Sequence, residues 1–270
     1  MKELMTCMVV FCFFSLSSLA QTNLRSADIR SIGTGGNGVT NSVLSNPGCL
    51  SLSTTQFIDI NYFNKYELKE LSSVSLVYGH PDLALPFAVH ISTFGYNKYR
   101  ETMFRLALSK RLSSAWFIGV SMQYALLQTE LYEEEAKKIS TDVGILFIPD
   151  KNLLIGLSIT DLPSTRLDNK NINIEDFNYY SVQSGFQWKY INNLLITMSA
   201  NYNNHSTFHF NVGLEYTAYD HFFIRTGLQT NPVVPAFGAG IAVASFRLDV
   251  AANYHTLLGV CSGVGLSYSF

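Results

Sequence analysis

The sequence is poor in charge. Asp, Glu, Lys and Arg make up 14% of its 270 residues, against roughly 25% in soluble domains. The formal net charge is -2, so no strong field points to nucleic acid or another polyanion as a partner. Long apolar runs are missing too. No stretch reaches the ~18 residues of a helical membrane span. Cysteine is scarce, with four in the chain, of which only Cys49 and Cys261 lie beyond the first twenty residues. Two such residues do not make a disulfide-framed scaffold. Catalytic motifs are absent as well. No G-x-S-x-G occurs, and the six histidines (His80, His90, His205, His209, His221, His255) are scattered. His205 and His209 have a spacing that suits a metal on a helix, not on a strand. Neither an enzyme nor a cofactor or metal site is expected.

What the sequence does have is alternation. Lys2, the apolar run from Met8 to Phe14 and the small-x-small site Ser18-Leu19-Ala20 read as a secretory signal peptide over residues 1–20. From about residue 55 the period is two. Ile58, Ile60 and Tyr62 alternate with Asp59 and Asn61, and Phe104, Leu106 and Leu108 flank Arg105 and Ala107. Phe208, Phe210, Val212, Leu214 and Tyr216 oppose His209, Asn211, Gly213 and Glu215. About fourteen such segments follow one another, an even number within the range of bacterial outer-membrane barrels.

A soluble β-sandwich would alternate too, but three features favour a membrane barrel. The segments run about 9–11 residues, the length of a tilted spanning strand. One face is nearly all apolar and the other mixes Gly, Ser, Asn, Gln and charge. Aromatic residues such as Tyr62, Tyr78, Trp188 and Tyr202 mark the ends of the apolar face, as interfacial girdles do. If the first strand starts in the periplasm, the longer connections, including residues 161–177, fall outside and the short ones inside. In that long polar loop Asp161, Glu175 and Asp176 read as ordinary solvated acids, as does the Glu133–Glu135 run in another outer loop. The expected fold is all-β: a closed antiparallel transmembrane barrel of about 14 strands over residues 53–270.

The stretch "SIGTGGNGVTNSVLSNPG" (residues 31–48) contains a letter-perfect G-x-G-x-x-G from Gly33 to Gly38. A dinucleotide site needs a strand before such a loop and a full helix after it. Only "SADIRSI" precedes it, and Asn46-Pro47-Gly48 ends whatever helix follows within about two turns. The run has a different reading. Glycines let a backbone pass close to a wall, and Asn-Pro-Gly turns the chain sharply. Residues 21–52 are expected to fold into the lumen as a hatch, with Gly33, Gly35, Gly36, Gly38, Asn46, Pro47 and Gly48 as its shaping residues.

"RSIGTGGNGVTNSVLSNPGCLS" resembles the N-terminal hatch of the FadL-like outer-membrane proteins, and of their PorV/PorQ branch in particular. That branch shows a glycine-rich run, a short helix and Asn-Pro-Ala-Gly-Leu before the first strand. Asn46 and Pro47 match, whereas Gly48-Cys49 departs from the Ala-Gly of the pattern. "ISTDVGILFIP" (residues 139–149) and "LLIGLSITDL" (residues 153–162) resemble its paired central strands. The resemblance implies a fourteen-stranded outer-membrane barrel. It further implies an accessory role in type IX-like protein export, by binding exported proteins or secretion subunits. The alternative it implies is a passive channel for small hydrophobic molecules. A barrel with a purely structural role is the third reading.

The face assigned to the lumen carries Asp59, His90, Arg105, Asp142, His209, Glu215, Arg225, Arg247 and Asp249. Their mixed signs read as an ion-pair network that fills the barrel and holds the hatch, or else as a polar path for a substrate. Cys49 and Cys261 could pair in an oxidising periplasm and tether the hatch. The terminal Phe270 lies on the apolar face and looks like the signal by which barrel-assembly machinery recognises outer-membrane proteins. Outer-membrane lipid is the remaining expected partner.

Overall fold

The computed structural model describes residues 28–130, 135–167, 180–204 and 208–270. The expected signal peptide, residues 21–27 of the expected hatch, Glu133, Glu175, Asp176 and His205 lie outside the described residues.

Strand periodicity becomes fifteen strands. They are β1 (Phe57–Asn64), β2 (Ser72–His80), β3 (Phe87–Tyr96), β4 (Tyr99–Arg111), β5 (Trp116–Thr129), β6 (Ala136–Asp150), β7 (Leu153–Thr160), β8 (Ser164–Arg166), β9 (Ser181–Ile191), β10 (Leu194–Asn203), β11 (Phe208–Ala218), β12 (Phe222–Gln229), β13 (Val234–Val243), β14 (Phe246–His255) and β15 (Gly259–Ser269). Each main strand pairs antiparallel with its neighbours, and β1 pairs with β15 from Phe57↔Ser269 to Asn64↔Ser262. The result is a closed antiparallel barrel of fourteen strands, β1–β7 and β9–β15, with the short β8 as an addition.

The faces follow from the pleat. Ile60, Tyr62, Val74, Leu76, Phe104 and Leu106 point outward and are exposed, while Asn61, Ser75, Arg105 and Ala107 point inward and are buried. In water the outer band would be a large apolar patch. In a bilayer it is the lipid face, and closure leaves no unpaired edge around the ring. Aromatic contacts lie on this face, as between Trp116 and Phe147, stacked at 4.4 Å. No helix among the described residues is long and apolar enough to cross a membrane.

Phe57 and Ser269 share one end of the barrel, where the connections 151–152, 192–193 and 244–245 are two residues each. In outer-membrane barrels the end with the shorter turns faces the periplasm. β8 departs from simple hairpin order. β7 stops at Thr160, Asp161 takes a positive φ of 60°, and β8 resumes the same ladder on β6 through Lys138↔Arg166 and Ser140↔Ser164. Among the described residues β8 pairs with β6 alone.

Candidate functional site

Residues 28–53 do not belong to the wall. They run inside it, and most of their side chains are buried. The first element is the short helix α1 (Ile29–Gly33). Asp28 caps it, accepting from Arg30 N (3.3 Å) and Ser31 Oγ (2.6 Å). The glycine run follows, with Gly35 and Gly36 at φ of 76° and 87°. The helix therefore precedes the glycines rather than following them. Asn46, Pro47 and Gly48 begin a 3₁₀ turn over Pro47–Leu52, because Asn46 Oδ1 accepts from Gly48 N and Pro47 fits the first turn position. Asn46 Nδ2 also donates to Val39 O (2.8 Å) and to Ile145 O of β6 (3.2 Å). Gly38 has a role within the segment, since a Cβ there would collide with Ser45.

Opposite this inner segment the wall is stripped of side chains. Gly119, Gly144, Gly156, Gly185, Gly213, Gly227, Gly238 and Gly263 all face it. Several are cross-strand partners: Gly119↔Gly144, Gly156↔Gly185 and Gly213↔Gly227. A Cβ at Gly156 would stand 2.5 Å from Val39 O, and one at Gly213 2.5 Å from Thr34 O. Glycine serves here because backbone lies on backbone.

Among the described residues the inward charges that the sequence singled out fall into two groups rather than one network, and Glu101, which accepts from Tyr99 on the same strand, lies outside both. The first lies on β4, β5 and β6. Arg105 is ion-paired with Asp142 and donates to Ser121 Oγ (3.0 Å) and to Leu44 O of the inner segment (2.7 Å). Asp142 Oδ1 accepts from Asp161 N (2.8 Å). The Asp161 carboxylate takes Ser140 Oγ (2.6 Å), Gln123 and Lys138 Nζ (3.4 Å). This corrects the expectation for Asp161. It is buried at the break between β7 and β8, because the strand turns inward there to meet Lys138. His90 is the direct cross-strand neighbour of Arg105.

The second group lies on β11, β12 and β14. Arg225 Nε donates to Glu215 Oε2 (2.5 Å), and its Nη1 donates to Asp249 Oδ1 (2.8 Å). Arg247 Nε holds Asp249 Oδ2 (2.8 Å). Arg30 of the inner segment then grips Glu215 with two bonds, of 2.9 and 2.7 Å. Such forked pairs fix orientation as well as charge. Arg30, Lys138, Gln123 and Asp161 are site residues that the sequence reading missed. Inward parity alone would have offered Lys138 and Gln123.

Asp59 joins neither group. It lines a chamber of about 520 Å³ beneath the inner segment, together with Thr54, Thr55, Arg247, Asp249 and Ser267. His209 is buried on β11. The expected disulfide is not formed. Cys49 packs against Phe117 and Leu146, whereas Cys261 packs against Ile29 and Phe63, and both are free thiols. The two sit in separate apolar clusters on different walls, so height and bearing both keep them apart. Burial pushes the Cys49 thiol up from its ordinary value. No group of three or more metal-binding side chains exists among the described residues.

The barrel has solved counterparts. The toluene transporter TodX of Pseudomonas putida superposes with a TM-score of 0.65, at 12% identity, over 92% of this chain and 99% of that one. The chain has the fold of a FadL-type outer-membrane barrel. A FadL homologue of Pseudomonas aeruginosa gives 0.57 at 11% identity, over 90% and 97%. A TodX monoaromatic hydrocarbon channel with the deltaS2S3 change gives 0.63 at 12%, over 92% and 99%. No protein-family model matches the sequence, and no curated protein matches it. The likeness is thus one of shape, with little sequence shared.

Proposed function

We propose that this FadL-type barrel is a non-enzymatic outer-membrane channel for small hydrophobic molecules. The observation that carries the reading is a set of apolar side chains in the outer half of the lumen. Phe63, Phe94, Met103, Leu127 and Val234 all point inward in the outer halves of their strands, and all are buried. An apolar solute leaving water gains about 25 cal/mol for each Å² it buries against such a surface. The same half also carries Glu101, Gln123, Lys138 and Asp161, and the chamber at the other end is lined by Asp59, Asn61, Arg247, Asp249 and Ser267. These side chains give an apolar solute a surface to bury against before it reaches the polar chamber. The structural neighbours agree in kind, since two of the three named above are TodX, called a toluene transporter or a monoaromatic hydrocarbon channel.

The inner segment is the hatch of this channel in our reading, and Phe270 its assembly signal. Phe270 lies on the lipid face, edge-on to Tyr268 at 5.0 Å, with its N–H on Gln56 O at 3.0 Å. The export role suggested by the PorV/PorQ resemblance has less behind it. None of the three neighbours named above is a secretion component.

The test is flux. The chain is placed in vesicles, and entry of a radiolabelled monoaromatic hydrocarbon is compared with entry of a sugar of similar mass. Hydrocarbon entry faster than into protein-free vesicles, with no such gain for the sugar, is expected. An equal gain for both, or no gain for either with the barrel folded, refutes the channel. Co-purification of exported proteins in its place would restore the export reading.

A further inference from the structure

We propose that the route through the barrel passes beside the inner segment, along β15 and β1, and that Ile29, Phe63 and Cys261 form its narrow point. The proposal rests on the channel reading above and adds to it a path and a constriction.

The argument comes from what each part of the wall touches. On β5, β7, β11, β12 and β13 the atoms closest to the wall glycines are backbone atoms of the inner segment: Pro47 C and O, Val39 O, Thr34 C and O, Gly35 N and Gly33 Cα. Backbone pressed on backbone leaves no space and cannot swing aside. Polar bonds hold the same side. Ser158 Oγ donates to Ser45 O (2.7 Å), Arg105 to Leu44 O (2.7 Å), and Arg30 to Glu215. Opening a path there means breaking buried ion pairs.

Side chains rather than backbone lie against Gly144 on β6 (Asn46, held by hydrogen bonds) and Gly185 on β9 (Val39), and on β15 the whole contact is of this kind. A Cβ at Gly263 would meet Ile29 Cδ1 at 2.5 Å and Phe63 Cδ2 at 2.9 Å, and one at Gly265 would meet Ile29 Cγ1 at 3.2 Å. These are side-chain ends. Ile29 and Phe63 have no polar atoms to anchor them, and they form one apolar cluster with Ile32, Ala251 and Cys261. Side-chain rotation takes far less time than withdrawal of a chain segment. The periplasmic chamber ends against this cluster, since Ile29, Asn61 and Gly265 belong to its lining. On the other side Tyr66, in the outer turn after β1, packs against the same cluster. One apolar layer therefore lies between the chamber and the outer turns, with Asn61 on its chamber side and Lys65 on its outer side. A closure of this composition passes flat apolar solutes and rejects charged ones.

The two native cysteines report on the two possible movements. Cys261 belongs to the proposed constriction. Cys49 belongs to the inner segment, buried against β5 and β6. Mature protein in vesicles is treated with N-ethylmaleimide, and each cysteine is followed by peptide mass spectrometry while hydrocarbon flux is measured on the same sample. Cys261 is expected to be labelled many-fold faster than Cys49, and alkylation of Cys261 is expected to slow flux. Ile29→Ala, with the barrel shown folded by its heat-modifiable gel mobility, is expected to raise both labelling and flux several-fold. Equal labelling of Cys49 and Cys261 means that the segment withdraws, and overturns the proposal. Flux with Cys261 unlabelled, or flux unchanged in Ile29→Ala, places the route elsewhere and leaves the channel reading intact. Absence of flux in every sample defeats the channel reading itself.

Discussion

Replacing Gly156 with Ala tests why the wall carries glycine. Two causes are possible: close approach of the inner segment, or curvature of the barrel. They predict opposite signs. The new Cβ would stand 2.5 Å from Val39 O and 3.1 Å from Val39 C, both backbone atoms, and 3.3 Å from Leu146 Cδ2. Ordinary contact begins near 3.4 Å, so Val39 must retreat by almost 1 Å. Overpacking of this kind costs about 1–3 kcal/mol. With the segment removed the clash disappears, and Ala in a strand is then more favourable than Gly by roughly 0.5–1 kcal/mol. Gly156→Ala is therefore destabilising in the whole chain and neutral or stabilising in a variant lacking residues 28–46. The measurement is urea-induced loss of the compact gel band, made in vesicles for all four proteins of the cycle. Limited proteolysis gives a second readout, because the segment of Gly156→Ala should be cut faster than that of the parent. If Gly156→Ala costs the same with and without the segment, the glycine serves curvature and the reasoning fails.

Other outcomes follow from the charge groups and thiols. Asp142→Ala strips Arg105 of its buried partner and should cost about 3–5 kcal/mol. The double change Arg105→Met, Asp142→Leu should recover most of that loss in the same urea assay. Glu215→Gln should loosen Arg30 and speed trypsin cleavage within residues 28–46 while the barrel band stays intact. Cys49 should resist maleimide at pH 8 in the folded barrel and react at once in denaturant, because burial both shields the thiol and raises its pKa. Its free-thiol value in the unfolded chain is about 8.5. Above that pH the unfolded chain ionises first, so stability falls as pH rises, and Cys49→Ser should flatten that decline.

The barrel was legible because lipid and lumen impose opposite chemistry on alternate residues. Ile60 and Tyr62 face out, and Asn61 and Phe63 face in. Parity gives the face but not the height or the bearing around the ring. For that reason Arg105 with Asp142 could not be told apart from Arg225 with Asp249, and Cys49 could not be kept from Cys261. Glu215 points inward, yet one of its two arginine partners, Arg30, stands 185 positions earlier. No local pattern records such a contact. Asp161 misled for another reason. It opens a polar stretch that reads as loop, and only the ladder of β6 beyond it shows that the strand resumes at Ser164. The glycine-rich run was read for its shape, and α1 lies before the glycines rather than after them.

The inner segment imposes an order on assembly. Its residues stand ahead of every strand in the chain, yet they rest on β5, β6, β7, β9, β11, β12, β13 and β15. Ile29 lies on Gly263 and Gly265, near the opposite end of the sequence. No surface for α1 exists until β13 and β15 are in place. Contacts of such sequence separation form late, because the chain between them must be ordered first. The part of the protein that leaves the ribosome before any strand is thus the last to find its seat, and it must wait inside a ring that is still closing around it.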